Sequence, residues 1–71
     1  MDLTTAITIF KKQKPGFHVQ AYAPCSDGII LVAESMPAVI ECNYYKVKTD
    51  GAIVPVHPMM MDVPMNKFKN V

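Results

Sequence analysis

Four side chains in this chain have the chemistry of metal ligands or nucleophiles: His18, Cys25, Cys42 and His57. Two cysteines and two histidines form the ligand set of a tetrahedral zinc site. Zinc sites usually take their ligands in pairs about two to five residues apart, and no two of these four residues are that close. We therefore expect two free thiols and two surface imidazoles, with no bound metal and no cofactor.

Nucleophilic catalysis by a Cys–His pair is a second chemistry open to the same residues, if the fold brings a cysteine and a histidine together. Cys25 is the better candidate, because it lies in a predicted turn beside Ser26 and Asp27. A chain of 71 residues, however, leaves little room for a pocket that encloses a substrate. A small Cys/His enzyme is thus a minor alternative, and we predict that the protein is not an enzyme.

The methionines near the C-terminus are a candidate protein-binding surface. Methionine is flexible and polarizable, and it is over-used on adaptable binding surfaces. Alternatively, this segment folds back and fills the open face of a sheet, since a small domain needs all its apolar residues for the core. Both interpretations stay open, and the predicted protein-binding residues are Met59, Met60, Met61, Met65 and Phe68.

Charge and composition argue against nucleic acid and membrane as partners. The net charge is +1, and the seven basic residues are all lysine. Without a basic groove or arginine, Tyr22, Tyr44 and Tyr45 are better explained by packing across strands than by stacking on bases. The longest apolar run, residues 29–33, is too short to span a bilayer. No signal peptide is apparent, which favours a cytoplasmic protein.

Residues 2–14 are predicted to form a helix that packs on a sheet. Asp2 has the side chain of a good N-cap, and the lysines near the other end suit the negative end of the helix dipole. Pro15 and Gly16 then end the helix. The apolar residues recur at helical spacing and form one stripe, consisting of Leu3, Ala6, Ile7 and Phe10.

Two strands, residues 17–23 and 29–33, follow the helix and are joined by a turn. The second strand is apolar on both faces, which is typical of a central strand with a helix on one side and other cover opposite. In the first strand, alternation predicts one apolar face, made of Phe17, Val19, Ala21 and Ala23.

A second hairpin is predicted from residues 43–48 and 52–57. Asp50-Gly51 supplies the turn, because glycine accepts a positive φ without steric cost. Pro55 places the last strand at an edge or a bulge, since it has no N–H for the ladder. Residues 38–42, between the two hairpins, could form a short strand or a loop.

The run Tyr44-Tyr45-x-Val47, the turn Thr49-x-Gly51, the segment His57-Pro58-Met59 and the later Phe68 resemble small uncharacterised proteins encoded in phage and prophage genomes. Those proteins typically carry an N-terminal helix, a hairpin and a tyrosine-rich strand that leads to a Thr-Gly turn. A short segment with proline and methionine ends them. The resemblance implies a phage or prophage origin, and it carries over no activity and no functional residue.

We predict a single α+β domain over residues 1–71, with an N-terminal helix packed on a three- or four-stranded antiparallel β-meander and a short irregular C-terminal tail. The predicted function is that of a non-enzymatic accessory or inhibitor protein, which binds a host or phage protein in the host cytoplasm. The alternative is a homodimeric accessory protein without a host target, in which two copies bury the apolar excess between them.

Overall fold

The computed structural model describes residues 1–35, 43–61 and 63–71. Residues 38–42, predicted as a strand or a loop, lie outside the described residues. The elements in chain order are α1 (Leu3–Gln13), β1 (Phe17–Cys25), β2 (Gly28–Ser35), β3 (Tyr44–Lys48), β4 (Ile53–Pro55), two short 3-10 turns (Pro58–Met60 and Met65–Lys67) and β5 (Lys69–Asn70).

The predicted α+β architecture is confirmed, because α1 packs on one antiparallel sheet. Within the described residues that sheet has five strands, in the spatial order β4-β3-β2-β1-β5. The first four strands follow one another as a meander. The fifth comes from the C-terminal tail, for which the sequence predicted no strand, and it lies at the far edge beside β1.

The helix begins and ends where its sequence predicts. The side chain of Asp2 accepts a hydrogen bond from the Thr5 N–H at 2.8 Å, and the Lys14 N–H donates to the Phe10 carbonyl at 2.8 Å. The predicted stripe faces the sheet, with Ala6 and Phe10 fully buried. The half-buried residues that pack beside them on α1 are Leu3, Ile7 and Ile9.

Three aromatic rings join the helix to strands on both sides of β2. The ring centroids lie 5.8 Å apart for Phe10 and Phe17, 5.4 Å for Phe10 and Tyr45, and 5.6 Å for Phe17 and Tyr45. The Lys14 ammonium lies 5.5 Å from the Phe17 ring and 5.2 Å from the Tyr45 ring. Such ring pairs and cation–π contacts add to the stabilisation from apolar burial. They hold the end of α1 over the sheet.

Strand β1 departs from the predicted alternation. Its register against β2 shifts between Val19 and Ala21, which leaves Gln20 as an extra residue. Beyond such a bulge, the side chains that faced the core face the other side of the sheet. Tyr22 therefore packs on the helix side. The prediction that Ala21 and Ala23 share the face of Val19 was wrong.

The β3–β4 hairpin is confirmed, although β4 is shorter than the predicted strand 52–57. Gly51 has a φ of 92°, in the region that glycine accepts without strain. The turn contains three residues, since the Lys48 N–H donates to the Ala52 carbonyl at 2.8 Å. The Asp50 carboxylate accepts from the Ala52 N–H at 2.9 Å. Pro55 closes β4, which is an edge strand as predicted.

The C-terminal part of the chain crosses the face of the sheet that lies opposite the helix. Strands β4 and β5 are at opposite edges, so the chain between them passes from one edge to the other. Tyr44 points away from the helix side, where its neighbour Tyr45 packs, and its ring lies 5.9 Å from that of Phe68. The tail thus folds back over the sheet. We call residues 56–61 and 63–71 the crossing segment.

Gly28 lies where β2 and β3 approach closely, since a Cβ at this position would overlap the Val47 carbonyl. At Gly16 a Cβ would meet nothing within 4 Å, which makes this glycine a matched control. We expect Gly28→Ala to lower the free energy of unfolding by about 1–3 kcal/mol. Gly16→Ala should change it by less than about 0.5 kcal/mol in the same urea titration. Equal stability of the two variants would contradict the register of β2 against β3.

Candidate functional site

The most exposed large apolar side chains of the described residues lie together in one short turn. Met59 is 86% exposed and Met60 is 81% exposed. The Met60 N–H donates to the His57 carbonyl at 2.8 Å, which closes the turn, and His57 Nδ1 accepts from the Met59 N–H at 3.2 Å. We call residues 57–60 the methionine turn. Two adjacent thioethers therefore reach solvent from a turn whose backbone is held by hydrogen bonds to His57.

The other three predicted binding residues have a different environment. Phe68 is half-buried and packs its ring edge-on against Tyr44. Met65 is 57% exposed, and its sulfur accepts a weak hydrogen bond from the Tyr44 hydroxyl at 3.9 Å. Met61 is half-buried. The predicted site therefore divides into an outer part, the methionine turn, and an inner part that contacts the sheet.

Sequence reasoning missed two features of this surface. Val54 is an exposed apolar residue, 41% exposed, on the strand that precedes the methionine turn. His57 is exposed, as expected for a surface imidazole, but its role as the N-cap of the turn was not predicted. The signal was present, because Pro58 favours the first position of a helical turn and the residue before such a position is a cap.

Cys25, the candidate nucleophile, lies in a cleft of about 470 Å³ between the start of α1 and the β1–β2 turn. Its thiol donates to the Asp27 carboxylate at 3.5 Å, and that carboxylate pairs with the Lys46 ammonium at 3.3 Å. Burial raises the pKa of the Cys25 thiol, and the Asp27 carboxylate raises it further. The hydrogen bond from Lys46 lowers the pKa of Asp27. A raised thiol pKa is the opposite of what a cysteine nucleophile needs.

The Cys and His residues do not converge in the part of the chain that the structure describes. His18 lies on β1 opposite Glu34, His57 caps the methionine turn, and no histidine lines the Cys25 cleft. Cys42 lies outside the described residues. Among residues 1–35, 43–61 and 63–71, no three His, Cys, Asp or Glu side chains come close enough to hold a metal ion.

Comparison with known proteins adds no relative. No protein-family model matches the chain, and no curated protein or solved structure shows significant similarity to it. In the described ranges of the chain, no helix has the length and apolar character needed to cross a membrane.

The thiol of Cys25 should react slowly at neutral pH. Because its pKa is raised, we expect the rate of alkylation by iodoacetamide to reach half its maximum at a higher pH than for an ordinary exposed cysteine. Asp27→Asn removes the negative charge that lies beside the thiol, so the pH of half-maximal alkylation should fall. Ser26→Ala, in the same turn, should leave it unchanged. Mass spectrometry of peptides separates Cys25 from Cys42. Rapid alkylation of Cys25 at pH 7 in the parent protein would refute this description of the thiol.

Proposed function

We propose that this protein is a non-enzymatic accessory or inhibitor protein of phage or prophage type, which binds a host or phage protein in the host cytoplasm through the methionine turn. The supporting observation is the exposure of Met59 and Met60, 86% and 81%, on neighbouring positions of a capped turn. Flexible thioether side chains adapt their shape to a partner surface. The proposed phage or prophage origin is supported by the sequence resemblance alone.

The edges of the sheet favour contact through side chains over addition of a strand. Strand β4 has three residues, and Pro55 directs its nitrogen away from β3, because the next N–H, that of Val56, points to the Tyr44 carbonyl of β3. Strand β5 has two residues, one of them Lys69. Short edges with proline or lysine are the usual protection against pairing with another chain. We therefore assign partner binding to the turn and not to an edge.

A homodimer is the second candidate function, and the same exposed turn supports it. Two copies that bury their methionine turns against one another would remove Met59 and Met60 from water without a host partner. Sedimentation of the parent protein separates these proposals. A dimer that Met59→Ser/Met60→Ser converts to monomer favours self-association, whereas a parent monomer favours a different partner.

Host-lysate capture on the immobilised protein tests the main proposal. We expect Met59→Ser/Met60→Ser to weaken capture by about thirtyfold or more, as loss of a binding hot spot does. The free energy of unfolding should change by less than about 0.5 kcal/mol, since both side chains are exposed.

Lys11→Ser/Lys12→Ser is the matched control, because it alters two adjacent exposed positions on the helix, away from the methionine turn. This variant should capture the same protein as the parent. A partner that binds the methionine variant as tightly as it binds the parent would remove the methionine turn from the proposal. If both variants lose the partner, binding does not depend specifically on the methionine turn, which would contradict the assigned site.

A further inference from the structure

We propose that the methionine turn binds a soft monovalent metal ion, Cu(I), through the His57 imidazole and the thioethers of Met59 and Met60. The prediction that no metal binds applies to a zinc site made of cysteine and histidine ligands. Thioether sulfur and imidazole nitrogen are ligands that suit Cu(I), whereas oxygen-seeking ions do not select them.

The three ligand side chains belong to one short turn, residues 57–60. The Met60 N–H donates to the His57 carbonyl at 2.8 Å, which closes the backbone of the turn. His57 is the N-cap, and the 3.2 Å bond from the Met59 N–H to His57 Nδ1 holds the imidazole over the start of the turn, next to the backbone that carries both thioethers.

The exposure of the two thioethers distinguishes them from packed methionines. Met59 and Met60 retain 86% and 81% of their surface, so neither sulfur is committed to the core. Met65, by contrast, is held at the sheet by the Tyr44 hydroxyl, 3.9 Å from its sulfur. Free rotation of exposed methionine side chains lets both sulfurs turn toward one ion. Met65 therefore serves as an internal control, because it belongs to the same segment and its sulfur already accepts a hydrogen bond.

Metal binding uses the lone pair that now caps the turn. A neutral imidazole has one nitrogen lone pair, and His57 Nδ1 uses it to accept from the Met59 amide. A Cu(I) ion at Nδ1 replaces that hydrogen bond, and no proton or electron is transferred. The Met59 amide then loses its acceptor. Binding should therefore change the amide resonance of Met59 together with the methyl resonances of both thioethers.

Titration of the full chain with Cu(I) under anaerobic conditions tests the proposal, followed by NMR of protein that carries isotope labels on the backbone amide nitrogens and on the methionine methyl groups. We expect the Met59 and Met60 methyl resonances and the Met59 amide to move together and to saturate at one ion. The Met65 methyl should not move with them. A Cys25→Ser/Cys42→Ser variant removes the thiols that compete for Cu(I). The parent protein is titrated in parallel, and its methionine methyl signals report binding to the thioethers separately from binding to the thiols.

Two substitutions separate ligand from structure. Asn caps a helical turn as histidine does but is a poor ligand for Cu(I), so His57→Asn should keep the fold. It should weaken Cu(I) binding by at least about tenfold. Met65→Leu should bind as the parent does, and Zn(II) should not shift the thioether methyls. Equal shifts at all methionines, unchanged affinity in His57→Asn, or no shift at Met59 and Met60 would each overturn the assignment.

Discussion

The central strand β2 is apolar on both faces, and the rest of the fold is arranged to cover both. Ile29 and Leu31 face the helix, while Ile30 faces the other way, and none of the three is more than 5% exposed. At about 25 cal/mol for each Å² of buried apolar surface, one bare face would remove much of the small stability available to such a domain. The start of the chain covers one face, where Phe10 packs between rings from β1 and β3.

The end of the chain closes the other face, and this gives the crossing segment two different sides. Phe68 packs against Tyr44, and Lys69 then pairs with Tyr22 at the far edge of the sheet. The methionine turn, early in the crossing, keeps its thioethers in solvent. Removal of the whole segment would disturb both sides at once, so single substitutions are needed to separate structure from binding. The fold-back interpretation therefore describes the inner side of the segment, and binding through the methionine turn is a proposal for its outer side.

What the sequence predicted depends on local rules, and what it missed depends on contacts distant in sequence. The helix cap at Asp2, the apolar stripe of the helix and the turn at Gly51 each depend on residues close together in the sequence. The sequence pattern was therefore enough to predict them. The fifth strand has only two residues and no strand pattern; it exists because β1 offers it an edge. The bulge at Gln20 changes no residue type and leaves no signal in composition. Exposure of the methionine turn likewise depends on the path across the sheet.

The free energy of unfolding of Phe68→Ala, measured in urea beside Met60→Ala, tests most directly whether the crossing segment has an inner and an outer side. Phe68 is half-buried on the sheet, so we expect its truncation to lower the free energy of unfolding by about 1–3 kcal/mol, less than for a fully buried phenylalanine. Met60→Ala should lower it by less than about 0.5 kcal/mol. An unchanged Phe68→Ala, or a Met60→Ala that loses as much as Phe68→Ala, would contradict this account.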